Sequence, residues 1–181
     1  MDINSPNFIA RSKSALDDAG LQKALANLKA GFPGKRKKAM ARMPEFDAMR
    51  DQAVEIKNKV IENLDYYLET FQTKVEANGG QVHWASTSED ACQTILDICR
   101  SVDAKTVTKG KSMVTEEINL NAFLEQHSVT PVETDLGEYI LQLRGDHPSH
   151  IIAPAIHLNL PQVSDIFEEK HQLPRKEDPA E

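Results

Sequence analysis

Apolar residues recur at steps of three and four through the first third of the chain, then gather into shorter runs after Gly80. The stretch "ALDDAGLQKALANLKAGF" has a helical rhythm and is expected to stop at "FPGKRKK", where Pro33 and Gly34 break it. Beyond Pro44 the positions Phe46, Met49, Ala53, Ile56, Val60, Leu64, Leu68, Phe71 and Val75 alternate the same steps with charges between them. This predicts a long amphipathic helix over 45–78, packed along one stripe and ended by Asn78-Gly79-Gly80. The region 1–78 is therefore expected to be a helical N-terminal region whose plainest role is a docking arm.

From 79 the pattern changes. "QVHWAS" is expected as a short strand, with Ser88 capping a helix that runs through Arg100. "AKTVTKG" is a second strand, and "TEEINLNAFLEQH" a second helix. "SVTPVETDL" and "EYILQLRG" are expected to be extended, and "SHIIAPAIHLNLP" to be a buried strand running into a loop. Strands alternating with helices predict an α/β domain at 79–173 built on a parallel sheet, with ligands at the carboxyl ends of its strands. Because "HIIAPAIH" is apolar on both sides of its alternation, it suits the interior of such a sheet. The last residues, 174–181, are expected to be a frayed, charged tail.

Charge narrows the choice of partners. There are 28 acidic against 21 basic residues, which argues against affinity for nucleic acid or anionic membrane. The basic cluster "GKRKKAMAR" is local, lacks interleaved aromatics and reads as solvated linker. No signal core and no membrane-length apolar run is present, so the expected compartment is cytoplasmic. The two cysteines, Cys92 and Cys99, lie seven apart on one helix face with Ile95. Two helical turns hold their backbones roughly 10 Å apart, too far for a disulfide. Buried thiols are expected, and an iron–sulfur cluster would need about four clustered thiolates.

Candidate chemistry sits where strands are expected to end. Gly110-Lys111-Ser112 matches the end of a phosphate-binding loop, but the required earlier glycine is replaced by Lys105, which removes the nucleotide reading. Lys109, Lys111 and Ser112 remain candidate ligands for a small anionic group, at a loop leading into a helix. Glu133 or Asp135 could serve as base or nucleophile and His157 as acid, if they converge. Plainer roles stand beside these: Ser112 or Thr115 capping a helix, Asp135 in a turn before Gly137, His157 bonding loop carbonyls. Spacing fixes no catalytic pair, and no residues are read as metal ligands.

The blocks "GGQVHWA", "KGKSMVTEEINLN", "VETDLGEYILQL" and "PSHIIAPAIH" resemble, in order and spacing, the LUD domain of the lactate utilization protein B family. The resemblance extends from Pro44 to about Phe167. It implies an α/β fold like the sugar-phosphate isomerase and CoA-transferase group, in the iron–sulfur subunit of a bacterial L-lactate oxidation complex. Full-length members of that family carry two 4Fe–4S clusters in a cysteine-rich region. None is expected in this chain, which reads as an N-terminal, truncated part of such a protein. The family often has a lysine after the histidine of the last block, where this chain has Leu158. Two functions follow as expectations. One is a non-catalytic scaffold or substrate-side domain of an electron-transfer complex oxidising L-lactate to pyruvate, with the other subunits or further copies of itself as partners. The other is a stand-alone small enzyme or binder for an anionic acyl or sugar-phosphate ligand.

Overall fold

A computed structural model describes residues 5–176. After a short 3-10 turn the chain runs through helices α1 (Phe8–Asp17), α2 (Ala19–Met40), α3 (Phe46–Glu62), α4 (Leu64–Ala77) and α5 (Ser88–Ser101). Strand β1 (Thr106–Lys109), helices α6 (Met113–Glu117) and α7 (Leu120–Gln126), strand β2 (Thr130–Glu133), α8 (Leu136–Arg144) and α9 (Leu160–His171) follow. The chain divides into two units. One is Gly31–Ser86; the other gathers the described residues up to Ala30 and from Thr87 onward.

The Gly31–Ser86 unit is helical and thinly packed. Pro33 lies inside α2 instead of ending it. Proline removes one helical hydrogen bond, and "KRKKAM" beyond it consists of good helix formers that continue the spiral. The long helix expected over 45–78 is divided at Asn63, whose φ is −127°. Asn63 Nδ2 donates to the Lys59 carbonyl at 2.8 Å, so its side chain competes with the backbone for that acceptor. The expected stripe exists but none of its residues is buried in α3 or α4; Ile56 is 64% and Phe71 59% exposed. Termination at Asn78-Gly79-Gly80 is as expected: Gly79 takes φ +81°, and a Cβ on Gly80 would sit 2.6 Å from Val75 Cγ1. "QVHWAS" forms no strand. It finds no ladder partner, and Trp84 Nε1 donates instead to Gln72 Oε1 on α4 at 2.9 Å.

The other unit holds the core. Strands β1 and β2 pair in parallel, with Val107 opposite Pro131 and Lys109 opposite Glu133. The α6–α7 segment makes the crossover that parallel strands require. Cys92, Leu96 and Cys99 of α5, Leu120 and Leu124 of α7, and Val129 form one cluster, with Val107 of β1 packed against it. Both thiols are free and buried, in agreement with the helix-face reading. The cap of α5 is Thr87, whose hydroxyl accepts from Asp90 N, rather than Ser88. The single helix expected at "TEEINLNAFLEQH" is split by Asn119, held at φ +53°, a conformation asparagine tolerates better than most residues.

Two expectations for the last third are corrected. "EYILQLRG" is helix α8, not strand: Asp135 caps it through the amides of Gly137 and Glu138, Ile140 and Leu141 are buried, and Gly145 ends it at φ +74°. "SHIIAPAIHLNLP" forms no strand either. His150 Nδ1 accepts from the amides of Ile152 and Ala153, and Ser149 bonds the Pro154 carbonyl, so the backbone groups a ladder would need are used in turns. Ile151 and Ile152 are accordingly exposed. The sequence pattern gives no sign of α9, which Asn159 and Gln162 start with a reciprocal capping box. In the tail read at 174–181, Arg175 pairs with Asp165 and Lys176 N bonds Ser164 Oγ, so those two residues are tied down. Residues 177–181 lie outside the described residues.

Candidate functional site

The parallel register puts Lys109 and Glu133 side by side at the carboxyl ends of the two strands. Both side chains are buried, 9% and 2% exposed. Lys109 Nζ donates to Glu133 Oε1 at 2.6 Å and to Asn121 Oδ1 at 2.8 Å. Asn121, in the first turn of α7, returns a bond from Nδ2 to the same Glu133 oxygen at 2.8 Å. Burying these charges is tolerable only because each meets an opposite charge with well-placed hydrogen bonds. The outward-facing edge of β2 is closed by one side chain. Gln142 of α8 accepts from Glu133 N at 3.0 Å and donates to the Pro131 carbonyl at 2.8 Å, doing for that edge what a neighbouring strand would do.

Beside this knot lies a cleft of about 370 Å³, whose lining includes Glu116, Glu125, Glu133, Glu138, Asp146 and His147. Glu138 is 4% exposed, and Lys111 Nζ lies 3.4 Å from its Oε1. Burial pushes the Glu138 carboxyl above the usual range, Lys111 pulls it back, and Glu133 and Glu116 push it up further. Glu116, Glu133 and Glu138 each bring a carboxylate oxygen within 4.8 Å of the others.

The candidate residues therefore fall into different places. Lys109 and Glu133, one read as an anion ligand and the other as a base, are partners of each other. Lys111 leans on Glu138. Ser112 caps α6 by accepting from Thr115 N at 3.3 Å, and Asp135 caps α8. His157 does not line the cleft with Glu133.

The LUD domain family matches residues 68–180, well over half of the sequence. The chain belongs to the LUD domain family. Lactate utilization protein B 2 of Bacillus mycoides (strain KBAB4) is 40% identical over 181 residues, which is 100% of this chain and 38% of the relative. The lactate utilization proteins B of Bacillus thuringiensis (strain Al Hakam) and Bacillus cereus (strain AH187) match to the same extent. The chain thus spans 38% of the length of these relatives. No solved structure matches. The LUD domain match begins at residue 68, inside α4, and so leaves out α1–α3.

Within this LUD domain chain a serine and a histidine also meet beside Asp146 of the cleft lining. His157 Nδ1 is 2.7 Å from Ser149 Oγ, and His157 Nε2 is 3.7 Å from Asp146 Oδ2. Ser149 Oγ is within hydrogen-bond distance of both the Pro154 carbonyl, at 3.0 Å, and His157 Nδ1, and the direction of the second bond follows the tautomer of the ring. Asp146 is in addition held by Arg144 at 2.6 Å. This cluster closes the loop before α9.

Sequence reasoning passed over Asn121, Gln142 and the part Glu116 plays in the cleft. Only Asn121 left a trace, as a polar residue at the buried start of the crossover helix.

Proposed function

We propose that the chain serves lactate utilization as a scaffold portion of an electron-transfer complex that oxidises L-lactate to pyruvate, with the iron–sulfur clusters held elsewhere in the assembly. The names of its relatives support the process. One observation favours scaffold over substrate-side domain: the strand-end cations are already paired with carboxylates, and the cleft beside them is lined by acidic groups. A lactate or phosphate anion entering there with no cation bound would meet like charge. Cys92 and Cys99 lie in the hydrophobic core, where they contribute packing. The part played by the chain is then mechanical: it presents folded surface to partner subunits.

Gene deletion tests this reading. Loss of the gene should abolish growth on L-lactate as sole carbon source and leave growth on pyruvate intact. A copy carrying Lys111→Ala should restore growth. Undiminished growth of the deletion strain on L-lactate would contradict the role, and failure of the Lys111→Ala copy would contradict the scaffold reading.

A further inference from the structure

Glu133 is held in an uneven way. Its Oε1 takes two hydrogen bonds, from Lys109 and Asn121, whereas its Oε2 is buried with no hydrogen-bond partner among the described residues. Both oxygens of Glu138 are likewise buried and without a hydrogen bond, although Lys111 lies near one of them. Both residues line the cleft, and Glu116 brings a third carboxylate to them within 4.8 Å. A buried acceptor with nothing to accept from is costly, and native structures place something against it. Three carboxylates face two lysines, so the cluster retains room for positive charge.

We propose that Glu116, Glu133 and Glu138 form a binding site for a divalent, oxygen-preferring cation. The arrangement of Glu133 carries the argument. Fixing one carboxylate oxygen by hydrogen bonds while the other is left without a donor is how outer partners orient a metal ligand. Oxygen donors alone, with neither thiol nor imidazole among the three, select ions of the magnesium, manganese and calcium kind over zinc or copper. Oxygens within 4.8 Å of one another need only small side-chain shifts to share an ion at roughly 2.1–2.6 Å. Lys111, whose side chain is 27% exposed, can swing to solvent as the ion takes its place beside Glu138. Lys109 stays, since its role is to hold Glu133 in position. The rival occupant is a single proton shared between Glu133 and Glu138.

Manganese titration followed by electron paramagnetic resonance decides between them. The chelator-treated full chain should remove the free-ion signal of one Mn²⁺ per chain, and its melting temperature should rise with added Mn²⁺ by mass action. Glu133→Gln should weaken binding by roughly tenfold or more, on the scale of disturbed metal sites. Should that variant fail to fold, Glu116→Gln at a half-buried position carries the same expectation. An undiminished free-ion signal at about 10 mM Mn²⁺, beyond the roughly 10⁻⁹–10⁻³ M span of built oxygen sites, would overturn the proposal. So would unchanged binding by Glu116→Gln. Absence of binding together with a higher melting temperature for Glu138→Gln would assign the space to the shared proton.

Discussion

Two regions of this chain solve the problem of charge and apolar surface in opposite ways. In α3 and α4 a clear amphipathic stripe is present, yet none of its residues is buried, and the ion pairs, such as Arg50 with Asp47 and Asp51, are at the surface. Around β1 and β2 a stretch of sequence of similar length buries Leu96, Leu124 and Pro131 completely and draws a lysine and a glutamate inside with them. The difference teaches that periodicity alone does not make a core. Among the described residues the stripe of α3 and α4 has no buried position, whereas the strands have a crossover helix whose first turn supplies Asn121 just where the buried charges need it.

The largest effect expected from breaking that contrast is Lys109→Met. Removing one member of the buried pair leaves Glu133 charged and uncompensated, which should cost roughly 3–5 kcal/mol in urea unfolding. The matched change in the helical region, Arg50→Ala, should cost about 0–1 kcal/mol because its pairs are in water. Comparable losses in the two variants would remove the distinction. Next in size, Leu124→Ala should destabilise by roughly 2–5 kcal/mol through cavity formation, while Ile56→Ala, 64% exposed, should stay within about 0.5 kcal/mol.

The strand pair and its crossover were legible because "AKTVTKG" and "SVTPVETDL" are short, β-branched runs flanked by polar turns. Lys109 and Glu133 were each legible as strand-end residues. Their partnership was not, because it depends on register, and register is set by pairing rather than by either segment alone. Helix α8 was misread because Tyr139, Ile140, Leu141 and Leu143 fit an extended run as well as a helical face; the deciding signal was Asp135 with Glu138 three residues later. "HIIAPAIH" misled through composition, since prolines and the His150 ring divert its backbone bonds into turns. Gln142 and Asn121 act through long-range hydrogen bonds, which leave no periodic mark in a sequence.

Smaller effects sharpen the picture. Asp135→Ala should lower stability by about 1 kcal/mol, the usual value of a helix cap, and Asp135→Asn should keep most of it. Loss of far more from both variants would mean that Asp135 does something other than cap α8. The thiols should be slow to react. Burial pushes the Cys92 thiol up, with Glu89 adding to it, so little thiolate is present near neutral pH. Alkylation should be slow in the native chain and fast in denaturant. Rapid native modification would place Cys92 outside the packed core.

The claim that the strand-end cations are internal structure, leaving the chain a scaffold, is tested most directly by amide chemical shifts during an L-lactate titration of the full chain. The account predicts no saturable shift at residues 109–112 or around Glu133 and Glu138 at millimolar lactate, in the wild type or in Lys111→Ala. A saturable shift at those amides, abolished by Lys111→Ala, would show that the loop holds the substrate and would contradict the account.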